Sequence, residues 1–196
     1  MKTIVILLIG TIVGVIILIS FNSRIKKTIE IIPYNSQWPQ LYESEAAPIK
    51  KTLGSNCLAI HHFGSTSIVG LSAKPKIDIL AVVKNFSSID IPALKLIGYE
   101  YRGEVIPSGR YFVKENPKIH LHIFEEDNPW VEHNLIFRDW LRTHDADRDA
   151  YAKLKQDLAN QHTDGMKYNR AKTEFINKIV KKAINEKEKE VMSNAK

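Results

Sequence analysis

This 196-residue sequence has a single cysteine, Cys57. No disulfide can close within the chain, so an oxidising compartment gains no support. Cys57 opens the apolar run Cys57-Leu58-Ala59-Ile60, the setting of a small core residue rather than of a nucleophile. The sequence also lacks an internal repeat, which excludes solenoids and propellers. It lacks the interleaved aromatic and basic residues on which single-strand binders stack bases, so nucleic acid is not an expected partner. An excess of one charge is nearly absent too. With 28 Lys and Arg against 22 Asp and Glu, the formal charge is +6. That mild basic balance is compatible with an anionic ligand, nucleic acid or an anionic membrane surface, and selects none of them. What is present, 44% hydrophobic and 26% charged residues, fits one ordinary globular domain plus an appendage. The sequence does not select an oligomeric state.

The appendage is N-terminal. Ile4 to Phe21 is apolar apart from Gly10, Thr11, Gly14 and Ser20. As a helix this run would span about 27 Å, close to the hydrocarbon thickness of a bilayer. It is longer than a signal-peptide core and no small-x-small cleavage site follows, so it reads as an uncleaved single-span anchor. Arg24, Lys26 and Lys27 outnumber Lys2 and the terminal amine, which favours a cytoplasmic domain on a membrane-localised protein. Export by a cleaved signal peptide is the alternative. The segments expected are 1–27 as anchor and basic flank, 28–190 as the domain, and 191–196 as a disordered tail.

Within the domain, Ile29 to Tyr34 reads as a short strand or extended arm, and Pro39 to Leu53 as a helix stopped by Gly54. Cys57 to Phe63 and Lys76 to Val83 read as strands, with Ile77, Ile79, Ala81 and Val83 on one face of the second and Asp78, Leu80 and Val82 on the other. Ser88 to Ile97 reads as a helix, Tyr99 to Val105 and Arg110 to Glu115 as a hairpin around Pro107-Ser108-Gly109, and Ile119 to Glu125 as a strand. Three helices follow: Val131 to His144, Asp149 to His162 with Asp145 or Asp147 as cap, and Lys167 to Glu190. The expected class is α+β, a mixed sheet with a helical C-terminal half.

Residues 62–80 carry the chemistry. A strand ends in Gly64-Ser65-Thr66-Ser67, and Asp78 follows inside the next strand. Glycine permits close backbone approach, and hydroxyls and backbone N–H groups can hold an anion. An acid within an apolar strand must be solvated, paired or bound to metal. For Asp78 the alternatives are a divalent cation and an ion pair with Lys74, Lys76 or Arg110.

The words His62-x-Gly64-Ser65-Thr66-Ser67-x-x-Gly70-Leu71-x-x-Lys74-Pro75-x-x-Asp78-Ile79 resemble the signature of the GrpB family. Tyr34, Trp38, Gly98-Tyr99, Arg110-x-Phe112, His120-x-His122, Phe137-Arg138-Asp139-x-Leu141-Arg142, Tyr151-x-x-Leu154-Lys155, Tyr168 and Lys172 extend the resemblance over roughly residues 30–185. It implies a nucleotidyltransferase-like fold and site, with Asp78 and Ser65 in catalysis and a divalent cation, magnesium or manganese ahead of zinc. One departure stands out. Active nucleotidyltransferases usually carry a second acid two residues on; here that residue is Leu80.

His120 and His122 share a strand face and could complete the site with Asp78, His122 also serving as general base. Two histidines and an aspartate by themselves suit zinc, manganese or iron better than magnesium. Hydrogen-bonded histidines on a polar sheet face are the alternative. Gly64, Ser65 and Thr66 with Lys74, Arg110, Arg138, Lys155 and Lys172 are the expected ligands of a nucleotide or another phosphorylated small molecule. Three functions remain open: nucleotidyl or phosphoryl transfer, a non-catalytic phosphate-binding accessory module favoured by Leu80, and, last, a scaffold.

Overall fold

The computed structural model describes residues 29–194. Six helices and five strands follow in the order α1 (Trp38–Leu53), β1 (Cys57–Phe63), β2 (Ile77–Val83), α2 (Ile91–Leu96), β3 (Glu100–Tyr101), β4 (Gly109–Lys114), β5 (Ile119–Glu125), α3 (Pro129–Thr143), α4 (Asp145–Gln161), α5 (Gly165–Ala171) and α6 (Thr173–Asn194). The strands form one sheet of order β1-β2-β5-β4-β3. β2 runs antiparallel to β1 and parallel to β5, so the sheet is mixed, and the remaining pairs are antiparallel. The α+β class, with helices gathered in the C-terminal half, is as expected.

β2 is an interior strand, between β1 and β5, and both its faces are covered, which is why it reads as a near-continuous apolar run. Ile77, Ile79, Ala81 and Val83 join Ile119, Leu121 and Ile123 of β5 in the main core, under Ile49 and Leu53 of α1 and Leu94 of α2. Leu80 and Val82 face the other way, with Phe63 and, partly buried, Trp130 and Val131 of α3. A second core is helical. Ile68 and Leu71, from the β1–β2 connection, insert among Phe137, Trp140 and Leu141 of α3, Tyr151 of α4 and Ile179 and Val180 of α6. The connection therefore ties the sheet to the helical half.

Gly54 ends α1 at φ 55°, and Asn128 caps α3 by accepting from the Trp130 N–H, with Pro129 in the first turn. Three local expectations need correction. Neither Asp145 nor Asp147 caps α4: Asp145 is already its first residue and pairs with Arg148 at 2.6 Å, while Asp147 accepts from Trp140 Nε1 at 2.7 Å and Lys182 at 2.8 Å. The helix expected over 167–190 is two helices parted at Lys172, and the second reaches Asn194, inside the expected tail. The first arm of the hairpin shrinks to Glu100–Tyr101. The N-terminal arm makes a single bridge, Ile32 to Ala73.

The expected transmembrane helix and single-pass membrane localisation are corrected as well. Among the described residues no helix is long and apolar enough to cross a membrane. The longest, α6, buries one stripe and carries lysines and glutamates elsewhere. Ile4 to Phe21 lies outside the described residues, and no membrane partner is carried further.

On the α1 face, Glu45 is buried and accepts from Tyr99 Oη at 2.7 Å and from Lys114 Nζ at 2.8 Å. Removing Lys114 would leave that carboxylate without its counter-ion. Lys114→Met is expected to destabilise the protein by about 3 kcal/mol in urea unfolding, and Glu45→Gln in the same background to recover part of the loss.

Candidate functional site

The β1–β2 pairing sets Phe63 opposite Asp78, so the turn that leaves β1 lies against the carboxylate of β2. Gly64 takes φ 69° and ψ −175°, a conformation essentially reserved for glycine. A Cβ there would stand 2.7 Å from Asp78 Oδ2, so only a hydrogen lets the backbone pass. The turn Ser65–Ser67 is closed by Ser67, whose N–H and Oγ both donate to the Gly64 carbonyl, at 3.2 and 2.6 Å. Two arginines of α3 brace it from outside. Arg142 donates twice to the Ser67 carbonyl, at 3.1 and 2.9 Å, and Arg138 donates to the His62 carbonyl at 3.0 Å. Ser65 and Tyr151 line the same cavity. Thr66 is spoken for: its hydroxyl lies 3.1 Å from His62 Nε2, and both are buried.

The parallel β2–β5 register places Asp78 beside His120 and Leu80 beside His122. The ligand atoms of Asp78, His120 and His122 all lie within 4.8 Å of one another. Lys76 Nζ donates to Asp78 Oδ1 at 2.9 Å and reaches His120 Nδ1 at 3.0 Å. Tyr111 Oη approaches the same Nδ1 at 2.8 Å. His122 is walled by Phe63, Tyr111 and Trp130, with ring centroids at 5.3, 4.9 and 5.7 Å. Burial raises the Asp78 carboxyl, but Lys76, His120 and His122 outweigh it and hold it below the usual carboxylate value. Burial pushes His120 down to about 4 and His122 to about 3, helped in both by Lys76 and opposed by Asp78. Both imidazoles are therefore neutral at physiological pH, the form that ligates metal.

This donor set fits one cation of borderline character. It does not fit a two-ion centre, because one carboxylate and two imidazoles supply too few oxygen ligands to hold a pair of cations.

Asp78 opens onto a cavity of ≈ 700 Å³ between the sheet and the helical half, lined also by Gly64, Ser65, Lys74, Lys76, Lys155 and Lys172. Lys74 and Lys172 lie against the Tyr168 ring at 4.1 and 4.4 Å from its centre, and Lys155 against Tyr151 at 4.9 Å. Lys155 also donates to the Ser72 carbonyl. Among the described residues, the ion pairs leave these three lysines without a carboxylate. Burial depresses all three, Lys74 to about 8 and Lys155 and Lys172 to about 7, and neighbouring lysines push each further down. The cavity thus concentrates positive charge that the protein itself does not neutralise.

The expected residues divide accordingly. Gly64, Ser65, Lys74, Asp78, His122, Arg138, Lys155 and Lys172 line one cavity, with His120 beside Asp78. Thr66 borders it with its hydroxyl engaged by His62. Arg110 is elsewhere: it pairs opposite Ile123 of the main-core face, reaches Glu104 at 3.3 Å and lies over Phe86. Arg138 spends its other nitrogens on Asp139, at 2.7 and 3.0 Å. The pairing of Asp78 with Lys76, one of the sequence alternatives, is realised. Tyr111 and Trp130 were not expected in the site; Tyr111 is foreseeable from β4 alternation once the register with His122 is known.

Gly64→Ala is expected to cost about 1–3 kcal/mol in thermal or urea unfolding, from the backbone conformation alone, and to pull the turn away from Asp78.

The sequence model of the family described as GrpB protein matches residues 28–182. The UPF0157 protein YqkA of Bacillus subtilis is 40% identical over 162 residues, covering 80% of this chain and 47% of that protein, so the chain spans about half of that relative's length. The UPF0157 protein BH1888 of Halalkalibacterium halodurans is 37% identical over 161 residues, covering 80% of this chain and 83% of that one. Among solved structures, the conserved protein GrpB from Enterococcus faecalis superposes with a TM-score of 0.72 at 36% identity, covering 80% of this chain and 98% of that one. The signature on the β1–β2 connection, the fold built around it and these matches agree: the chain belongs to the GrpB family.

Proposed function

We propose that this protein binds the phosphate groups of a nucleotide or another phosphorylated small molecule in the cavity between Asp78 and the C-terminal helices. The observation that carries this reading is the set of three lysines, Lys74, Lys155 and Lys172, which line the cavity together with Gly64 and Ser65 and, among the described residues, have no carboxylate partner. Buried cations without counter-ions are costly, and a polyanion would relieve that cost. Ammonium groups suit phosphate oxygens as point charges, and the glycine turn lets backbone donors approach. Tyr168 holds two of the lysines in place by their contact with its ring.

A second reading, nucleotidyl or phosphoryl transfer, is favoured by the proximity of Asp78, His120 and His122 to the same cavity. These three residues would hold a single divalent cation, manganese or zinc ahead of magnesium, and such an ion polarises a phosphoryl oxygen when bound. Within this chain, His122 serves that reading as a ligand rather than as a base. An imidazole pushed down to about 3 does not take a proton from a hydroxyl at neutral pH. The single carboxylate and the buried Leu80 make binding the better supported of the two.

Calorimetric titration of the protein with a nucleoside triphosphate, with and without manganese, separates them. Binding retained in EDTA and weakened about ten-fold or more by Lys172→Met supports the phosphate cavity. Binding that requires both the ion and Asp78, and vanishes in Asp78→Asn, supports the transferase site. No binding under either condition contradicts both.

The lysines add a pH dependence whose sign is fixed. In the free protein Lys155 and Lys172 shed their protons near pH 7. A bound anion favours the charged form, so at pH 8 binding takes up protons. Affinity for tripolyphosphate is expected to fall as pH rises from 6.5 to 9, and the heat measured at pH 8 to vary with the ionisation enthalpy of the buffer.

A further inference from the structure

We infer that the Lys76 ammonium is a built-in competitor for the cation position of the Asp78–His120–His122 site, and that a divalent ion binds there only by displacing it. The inference rests on the reading of those three residues as cation ligands; it is independent of the phosphate cavity.

The geometry is direct. Lys76 Nζ lies 2.9 Å from Asp78 Oδ1 and 3.0 Å from His120 Nδ1. Those two acceptors are themselves 3.7 Å apart. The ammonium therefore bridges two of the three candidate ligands. An imidazole nitrogen has one lone pair, so Nδ1 cannot accept from Lys76 and coordinate a metal through the same pair; Tyr111 Oη, 2.8 Å from that nitrogen, can turn its proton away, whereas the ammonium can only donate. Lys76 cannot serve as a ligand while charged, and its charge opposes a second cation beside it. The strand alternation explains its position. Lys76 immediately precedes β2 and stands two residues before Asp78, on the same side.

Displacement is open to it. The Lys76 side chain is 24% exposed and lines the large cavity, so the ammonium can swing into that space while keeping its hydration. Asp78 is less free: its Oδ2 lies 2.7 Å from where a Cβ on Gly64 would stand, and its strand is held between β1 and β5. The site would thus select against weakly bound cations. Magnesium prefers oxygen ligands and keeps its waters, so it gains little from two imidazoles. Manganese and zinc accept nitrogen donors and are the ions expected to displace Lys76.

The test uses manganese(II) alone, titrated by calorimetry and by the loss of its free-ion electron paramagnetic resonance signal, without nucleotide. Lys76→Met is expected to bind manganese about ten-fold more tightly than the wild-type protein, the scale of one like charge removed at contact distance. Lys76→Gln should change in the same direction. Lys118→Met, which removes a nearby exposed charge without touching Asp78 or His120, should stay within about two-fold of wild type. Adding Asp78→Asn to Lys76→Met should abolish the gain. Unchanged or weaker manganese binding in Lys76→Met, an equal gain in Lys118→Met, a gain that survives Asp78→Asn, or no manganese binding by either protein would each overturn the inference. Tripolyphosphate titrated in EDTA reports separately on the phosphate cavity, so failure of the one is distinguishable from failure of the other.

Discussion

Asp78 is a carboxylate on an interior strand of the sheet, where burial alone would favour its neutral form. The Lys76 ammonium, donating to Oδ1, keeps it charged, and the turn after β1 comes so close that a single added methyl would collide with it. Much of the site follows from holding this one charge in place. The β1 register brings Gly64 to it, the β5 register brings His120 and His122, and β4 brings Tyr111 over both histidines. The helical half closes the far side of the cavity, and it is anchored by Ile68 and Leu71 from the same connection that carries the glycine turn.

The two halves of the cavity have opposite electrostatic characters. Around Asp78 the charge is compensated, with Lys76 and the carboxylate forming a pair. Toward α4 and the α5–α6 junction it is not, because Lys74, Lys155 and Lys172 have aromatic rings and a carbonyl for company rather than carboxylates. Tyrosine faces and carbonyls can orient an ammonium but do not neutralise it. An anion spanning the cavity would meet the lysines at one end and the cluster of Asp78, His120 and His122 at the other. That polarity is what a phosphate chain with a bound divalent ion would need, and it is achieved with one acidic residue.

Much of this was legible in the sequence because strand alternation is a local signal. The facing of Asp78 away from Ile77 and Ile79, and of His120 and His122 together, followed from period two, and the bounds of β1 and β5 were readable from their apolar runs. The register that joins β2 to β5 is not local, so the convergence of Asp78 with the histidines needed the folded sheet. Arg110 illustrates the limit: alternation alone leaves open which face of β4 is which, and the β4–β5 register puts Arg110 on the side of Ile123, away from Asp78. The break at Lys172 carried no glycine or proline to announce it. Lys172 keeps helical backbone angles there and lies over the Tyr168 ring, as the four-residue spacing allows. The N-terminal apolar run was read from hydropathy alone and lies outside the described residues, among which no helix is long and apolar enough to cross a membrane.

The central claim is that the unneutralised lysines of the cavity form a phosphate site. A crystal structure of the protein with tripolyphosphate tests it most directly. Phosphate density is expected between Lys74, Lys172 and the Ser65-Thr66 backbone, within hydrogen-bonding distance of the two ammonium groups. An empty cavity at saturating tripolyphosphate, or density bound only outside it, would contradict the account.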